Sequence, residues 1–285
     1  MGRITQKRPV LRVSTAGPGR RSRRPDTLVV EEPLEIRVAG RPLTLTMRTP
    51  GDDFDLVAGF LTGEGVLRGA KDVTAMRYCT DLGEDGTPTY NVVDVLLADG
   101  VAPPDPSLER AFYTTSACGV CGTTSIEALR RRAPYDVAAD ATRLDPEILV
   151  RLPETLRDRQ KVFERTGGLH AAGLFDATGR LRVLREDVGR HNAVDKVVGS
   201  ALRDDRLPLS GCVLMVSGRA SFELTQKAIQ AGIPALAAVS APSSLAVALA
   251  EEAGMTLIGF LRGDSMNVYT GAHRIAGEVA EPVKT

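Results

Sequence analysis

The spacing of apolar positions changes along the chain, and each change predicts a different element. Between Thr27 and Met47 apolar and polar residues alternate, with Leu34, Ile36 and Val38 before Ala39-Gly40 and Leu43, Leu45 and Met47 after it. That period of two predicts a hairpin with one buried face. Phe54, Val57, Phe60 and Leu61 then fall at helical spacing behind Asp52 or Asp53 as the cap, and Gly63 and Gly65 close the run. Strands are predicted over Asp72 to Cys79 and Thr89 to Leu97, parted by a polar turn at 83–86. The cluster Pro103, Pro104 and Pro106 marks the outer edge of this strand-rich lobe.

Residues 144–165 read as two charged helical runs separated by Pro153. A hairpin follows at Ala171 to Phe175 and Arg180 to Leu184, turned at 176–179. Val194, Val197, Val198, Ala201 and Leu202 step as i, i+3, i+4, i+7 and i+8, which predicts an amphipathic helix. From Cys212 the pattern becomes strand (Val213 to Val216), helix (Phe222 to Ala231), strand (Ala235 to Val239), helix (Ser244 to Ala253) and strand (Met255 to Leu261). Gly232 and Gly254 stand where helices end, and Ser221 and Ser243 where they begin. This predicts a βαβαβ unit with a parallel sheet, and an α/β fold class for the chain.

At 285 residues and 43% hydrophobic content the chain can bury a substantial core. Its longest apolar stretches fall far short of the roughly 20 residues that a spanning helix needs, so no membrane segment is expected. Charge divides the chain in two. Residues 1–25 hold eight basic and no acidic residues, which leaves 28 basic against 36 acidic, or −8, on the remainder. No apolar stretch backs the N-terminal charges, which argues against a secretory signal and for a cytoplasmic protein. Gly17, Pro18, Gly19 and Pro25 predict that residues 1–26 form a disordered, solvated basic arm. The arm has no aromatic residue to stack on bases, so no nucleic-acid partner is expected.

Four cysteines are too few and too scattered for a disulfide scaffold, and only Cys118 and Cys121 have a meaningful spacing. They sit among small residues, Tyr113-Thr-Thr-Ser-Ala-Cys-Gly-Val-Cys-Gly122, and Thr124-Ser-Ile-Glu127 behind them matches a capping box. Thiols ahead of a helix start are biased toward the nucleophilic thiolate. Sulfur relay and redox chemistry fit this placement. A zinc site lacks a second ligand pair, a thioredoxin-like dithiol lacks its preceding strand, and a pair of inert loop cysteines remains a third alternative.

A second candidate site follows from the parallel sheet, which binds ligands beyond the carboxyl ends of its strands. Three loops leave that edge, at 217–220, 240–244 and 262–265. Their hydroxyls and helix starts suit a phosphate, with Arg219 and Arg262 as contacts and Asp264 able to accept from a guanine. No dinucleotide or P-loop glycine motif is present, so the ligand is nucleotide-like without a standard nucleotide fold. The polar run Arg185-Glu-Asp-Val-Gly-Arg-His-Asn192 is a third candidate, centred on His191 at a helix start. His170 is as fit for a structural role as for ligation.

Taken together, the segments 113–122, 166–172 and 185–196, with Ser217-Gly-Arg-Ala-Ser-Phe-Glu223 and Gly259-Phe-Leu-Arg-Gly-Asp-Ser-Met-Asn-Val-Tyr269, resemble the FdhD family of formate dehydrogenase accessory sulfurtransferases over about residues 27–275. The resemblance implies acceptance of sulfur from a cysteine desulfurase and its transfer to the bis-molybdopterin guanine dinucleotide cofactor (Mo-bisMGD) before insertion into formate dehydrogenase. It implies a persulfide on Cys118 with Cys121 as its partner, and a cofactor-binding stretch over Phe260, Leu261, Arg262, Gly263, Asp264 and Ser265. It also implies a homodimer, and a three-layer cytidine-deaminase-like domain over 113–285 behind an N-terminal α+β lobe over 27–112. Deamination itself is not expected, since His170 is followed by Ala171 and Ala172 rather than by the glutamate that deaminases need. No resident metal is expected. The alternative within this reading is a cofactor-binding chaperone whose C-x-x-C is structural or holds zinc.

Overall fold

The computed structural model describes residues 3–15, 20–79, 89–104 and 133–277. Cys118 and Cys121, the capping box behind them, the polar turn at 83–86 and the expected boundary at 112/113 lie outside the described residues.

The first lobe is built as its alternation predicts. Strands β3 (Glu32–Val38) and β4 (Arg41–Arg48) form the hairpin, and α1 (Asp53–Gly63), β5 (Val73–Tyr78) and β6 (Val92–Leu97) follow. The sheet order is β4-β3-β6-β5, with β3 and β6 parallel and the outer pairs antiparallel. Leu34, Ile36, Val93 and Val95 on its inner face pack against Leu56, Val57 and Leu61 of α1, all fully or almost fully buried.

The second lobe has three layers. Its mixed sheet runs β12-β11-β10-β9-β7-β8, formed by β7 (His170–Asp176), β8 (Leu181–Asp187), β9 (Cys212–Val216), β10 (Ala235–Ala238), β11 (Thr256–Arg262) and β12 (Ser265–Thr270). One face carries α5 (Arg190–Arg203), α6 (Phe222–Gln230) and α7 (Ser244–Glu252) over Leu174, Leu214, Val216, Leu236 and Leu257. The other carries α2 (Pro146–Leu149) and α3 (Leu152–Arg159), whose Leu149, Leu152 and Leu156 cover Phe175, Val213, Met215 and Ile258. Strands β9, β10 and β11 are parallel, as a βαβαβ unit requires, and Gly232 and Gly254 take the left-handed conformation past α6 and α7.

Three expectations are corrected. Residues of the basic arm pair as an antiparallel ribbon, β1 (Thr5–Ser14) with β2 (Arg20–Val29), instead of forming a solvated tail. The run 144–165 contains three short helices, with α4 (Lys161–Thr166) as the third. Pro153 sits in the first turn of α3 instead of dividing two runs, because a missing N–H costs nothing there. Third, the chain beyond β11 turns back as β12, antiparallel to it, so the sheet is mixed at this edge. Among the described residues no helix is long and apolar enough to cross a membrane.

Candidate functional site

The carboxyl ends of β8, β9, β10 and β11 open onto one edge of the second sheet, and β7, which runs the opposite way, starts there. Ala172 of β7 pairs with Val216, the last residue of β9, so His170 projects past the end of β9. Two bonds lock this corner: Ala171 N–H donates to Ser217 Oγ (2.9 Å), and Ser217 N–H donates to the Ala171 carbonyl (3.0 Å). His170 pairs with Asp187, the end of β8, and three residues later α5 begins at Arg190.

Two of the three loops chosen from topology, 217–220 and 240–244, are tied together by their backbones, and β11 is tied to the second just before the third loop. Ser240 N–H donates to the Gly218 carbonyl (3.4 Å), Ser243 N–H to that of Ala220 (3.0 Å) and Phe260 N–H to that of Ser240 (3.2 Å). Ser243 Oγ caps α7 by accepting from Ala246 N–H (3.2 Å). Ser221 occupies the same position on α6 without a side-chain cap, which leaves its hydroxyl for His191. Gly259 has no room for a side chain, since a Cβ would come within 2.8 Å of Pro242 Cδ.

His191 joins two helices at the centre of the edge. Its Nε2 lies 2.6 Å from Glu223 Oε2 and 3.4 Å from Ser221 Oγ, so the start of α5 is held on the start of α6. His170 lies close by: a Cβ on Gly218 would be 3.6 Å from His170 Nδ1 and 4.0 Å from Arg190 Cδ. Burial pushes the His170 imidazole below its ordinary range, and the positive charges of Arg190 and His191 push it further than Asp187 restores. His170 is therefore a neutral donor-acceptor at neutral pH, beside Arg190, whose buried Nε meets no partner among the described residues.

Of the sequence-predicted residues, His191 and Phe260 are built into this edge. Phe260 is half-buried and holds φ 51°, a left-handed conformation unusual for a bulky side chain, at a bulge between Gly259 and Arg262. Such strain is characteristic of functional loops. Leu261 points the other way and is buried in the core. Arg262, Gly263, Asp264 and Ser265 form the exposed turn between β11 and β12, closed by the pairing of Arg262 with Ser265, and the Arg262 guanidinium lies 5.7 Å from the Phe260 ring centre. Arg219 is exposed on the loop after β9.

Most of the polar run at 185–192 serves a different purpose from the one its density suggests. Arg185 donates to Asp55 of α1 (2.7 Å), Asn192 donates to the Met47 carbonyl (2.8 Å), and Asp187 accepts from Thr49 N–H (3.1 Å) and from Lys196 (2.7 Å). These groups fasten the two lobes, and only Arg190 and His191 turn to the edge. Sequence reasoning missed Glu223 and Ser221 as partners of His191. Their one local signal is position, Ser221 as the N-cap and Glu223 in the first turn of a helix that starts from the edge. Among the described residues no group of three or more His, Cys, Asp or Glu side chains is arranged to hold a metal ion.

Comparison with known proteins adds to this geometry. The family model described as FdhD/NarQ matches residues 29–276. The protein named sulfur carrier protein FdhD in Streptomyces avermitilis is 61% identical over 277 residues, 97% of each chain. Its namesake in Mycobacterium tuberculosis is 59% identical over 255 residues, 88% of this chain and 92% of the relative. Among solved structures, that of a candidate formate dehydrogenase accessory protein from Desulfotalea psychrophila superposes with a TM-score of 0.73 at 25% identity, covering 96% of this chain and all of the other.

Proposed function

The chain belongs to the FdhD/NarQ family, and from that premise we propose that it is a cytoplasmic sulfurtransferase, a homodimer that loads sulfur onto Mo-bisMGD for formate dehydrogenase. The observation that carries this reading is identity of about three residues in five, along nearly the whole chain, with proteins named as sulfur carriers. The second lobe is then a cytidine-deaminase-like scaffold used for sulfur chemistry.

In the proposed reaction the Cys118 thiolate attacks the outer sulfur of a persulfide on a cysteine desulfurase. A new S–S bond forms on Cys118 and the desulfurase cysteine leaves as thiolate. Attack of the Cys121 thiolate on Cys118 Sγ then releases hydrosulfide to the molybdenum of the bound substrate and leaves a Cys118–Cys121 disulfide. Mo-bisMGD is substrate here, and its guanine nucleotide ends suit an edge of helix starts, hydroxyls and exposed Arg219 and Arg262. The Phe260 bulge sets the backbone that presents Arg262, Gly263, Asp264 and Ser265.

The test is incubation with a cysteine desulfurase and cysteine, followed by mass spectrometry of the peptide over 113–129. One added sulfur atom on Cys118, absent from Cys118→Ala, is expected. No added sulfur on either cysteine, together with stoichiometric zinc, would sink this reading in favour of a zinc-bearing chaperone. Binding is checked with guanosine diphosphate: Arg262→Ala should weaken its affinity about tenfold, as loss of a phosphate contact worth about 1.4 kcal/mol does.

A further inference from the structure

The basic arm is folded, and its exposed faces carry a consequence that the sulfur chemistry does not use. Strands β1 and β2 pair over ten residues each, a ribbon of about 30 Å. The ribbon touches its own chain near its root: Val30 N–H donates to the Ile4 carbonyl (2.9 Å), Val29 lies against Gly168, and β2 packs on α4. Farther out, register places Leu11 opposite Arg23 and Val13 opposite Arg21, all four on one face. Leu11 is 56% exposed and Val13 59%, and Arg21 and Arg23 are exposed beside them. Arg8, Arg12 and Arg24 occupy the other face.

A two-stranded ribbon on its own is marginal in water, and apolar side chains interleaved with arginine are the composition of a protein interface. The charges define the surface that would receive it. Residues 1–25 carry eight positive charges, and the remainder of the chain carries a net −8. Phosphate backbone would meet the arginines but leave Leu11 and Val13 facing charge, and the arm holds no aromatic side chain to stack on a base.

We infer that the outer face of the ribbon, Leu11 and Val13 with Arg21 and Arg23, docks on the acidic body of a second copy of this chain, each copy lending its arm to the other. This rests on the two-copy reading above. Such an exchange is isologous and closes at two subunits, and it neutralises an arm and a body of opposite charge in each copy.

Sedimentation velocity of the full chain at low salt should show a dimer that weakens as salt rises. Arg21→Glu with Arg23→Glu, and separately Leu11→Ser with Val13→Ser, should each raise the dimer dissociation constant at least about tenfold without altering the circular dichroism spectrum. In a mixture of isotope-labelled and unlabelled copies, a photo-crosslinking p-benzoylphenylalanine at Leu11 should join the labelled ribbon to peptides of the unlabelled body. A chain that is monomeric throughout overturns both the two-copy reading and the inference. A dimer indifferent to both double variants, or crosslinks confined to one chain, overturns the inference alone. So does saturable binding of a short duplex DNA that Arg21→Glu with Arg23→Glu abolishes, since the ribbon would then serve nucleic acid.

Discussion

His170 shows how one residue's setting fixes its chemistry. The imidazole starts β7 at the edge, half-buried, with Arg190 and His191 nearby. Burial and two positive neighbours disfavour its charged form, so its folded-state pKa lies below the 6.5 of an unperturbed histidine. The unfolded chain binds the proton more readily, so the stability this residue contributes is complete above pH 6.5 and is lost as the pH falls below it. A proton NMR titration should give His170 a midpoint below 6.5, moving upward in Arg190→Gln as one positive neighbour is removed. A midpoint that stays put would show that Arg190 does not act on the ring. Asp195 has the opposite sign. Burial raises its carboxyl to about 6 despite Lys227 at 2.7 Å, so it favours the folded state at low pH and loses that contribution as the pH rises through about 6. Asp140, despite its burial, and Asp176 have carboxyls that hydrogen bonds hold below their ordinary range; both add to the acid loss with the same sign as His170, and His170→Gln should remove only the His170 part of it.

At the scale of elements, the contact that matters most is the crossing of α1 and α5. Both helices present glycine at the crossing: a Cβ on Gly59 would come within 1.8 Å of the Asp195 carbonyl oxygen, and one on Gly199 within 1.8 Å of that of Asp55. The obstacles are backbone atoms, which cannot turn aside, so the helices must separate. Gly59→Ala and Gly199→Ala should each destabilise the protein by about 2–3 kcal/mol, despite the better helix propensity of alanine. Chemical denaturation measures this, and a neutral result would mean that the helices are less close than the glycines imply. No local pattern announces such a crossing, since it depends on residues 140 positions apart in the chain. What was legible is local. The period of two gave the β3–β4 hairpin, the helical spacing gave α5, and glycines that must take positive φ gave the ends of α6 and α7. The ribbon was hidden because arginines mask its alternation, and β12 because Ser265–Thr270 alternates only weakly between exposed and half-buried side chains. The candidate edge could be read from the rule that ligands gather at carboxyl ends of parallel strands. The pairing of His191 with Glu223 could not, because it joins the first turns of two separate helices.

A buried ionic joint fastens the two lobes. Asp187 and Lys196 are almost wholly inaccessible and 2.7 Å apart, and each also reaches across to the first lobe: Lys196 donates to the Thr49 carbonyl (2.9 Å), and Asp187 accepts from Thr49 N–H. Val188 N–H returns a bond to Thr49 Oγ1 (3.1 Å), and Asp55 of α1 is gripped by Arg185 and Arg203. The joint lies a few residues from His191, so the orientation of the first lobe and the placement of the edge are set by the same side chains. Removing one charge leaves the other buried with its countercharge gone, which costs about 3–5 kcal/mol, whereas replacing both by groups of similar size is much milder. Lys196→Met alone should therefore lower the melting temperature more than Lys196→Met combined with Asp187→Asn, whose amide oxygen still accepts from Thr49 N–H while its amide nitrogen gives up the bonds from Gly189 N–H and Asn192. The order of the two melting temperatures is the measurement. If the double variant is the less stable, the hydrogen bonds that Asp187 accepts from Thr49, Gly189 and Asn192 outweigh the ammonium in holding the joint. If the order is as expected, the proposed sulfur transfer can be assayed in the single variant below its melting temperature: on that proposal, loading of Cys118 should proceed while delivery to a substrate held at the candidate edge falls.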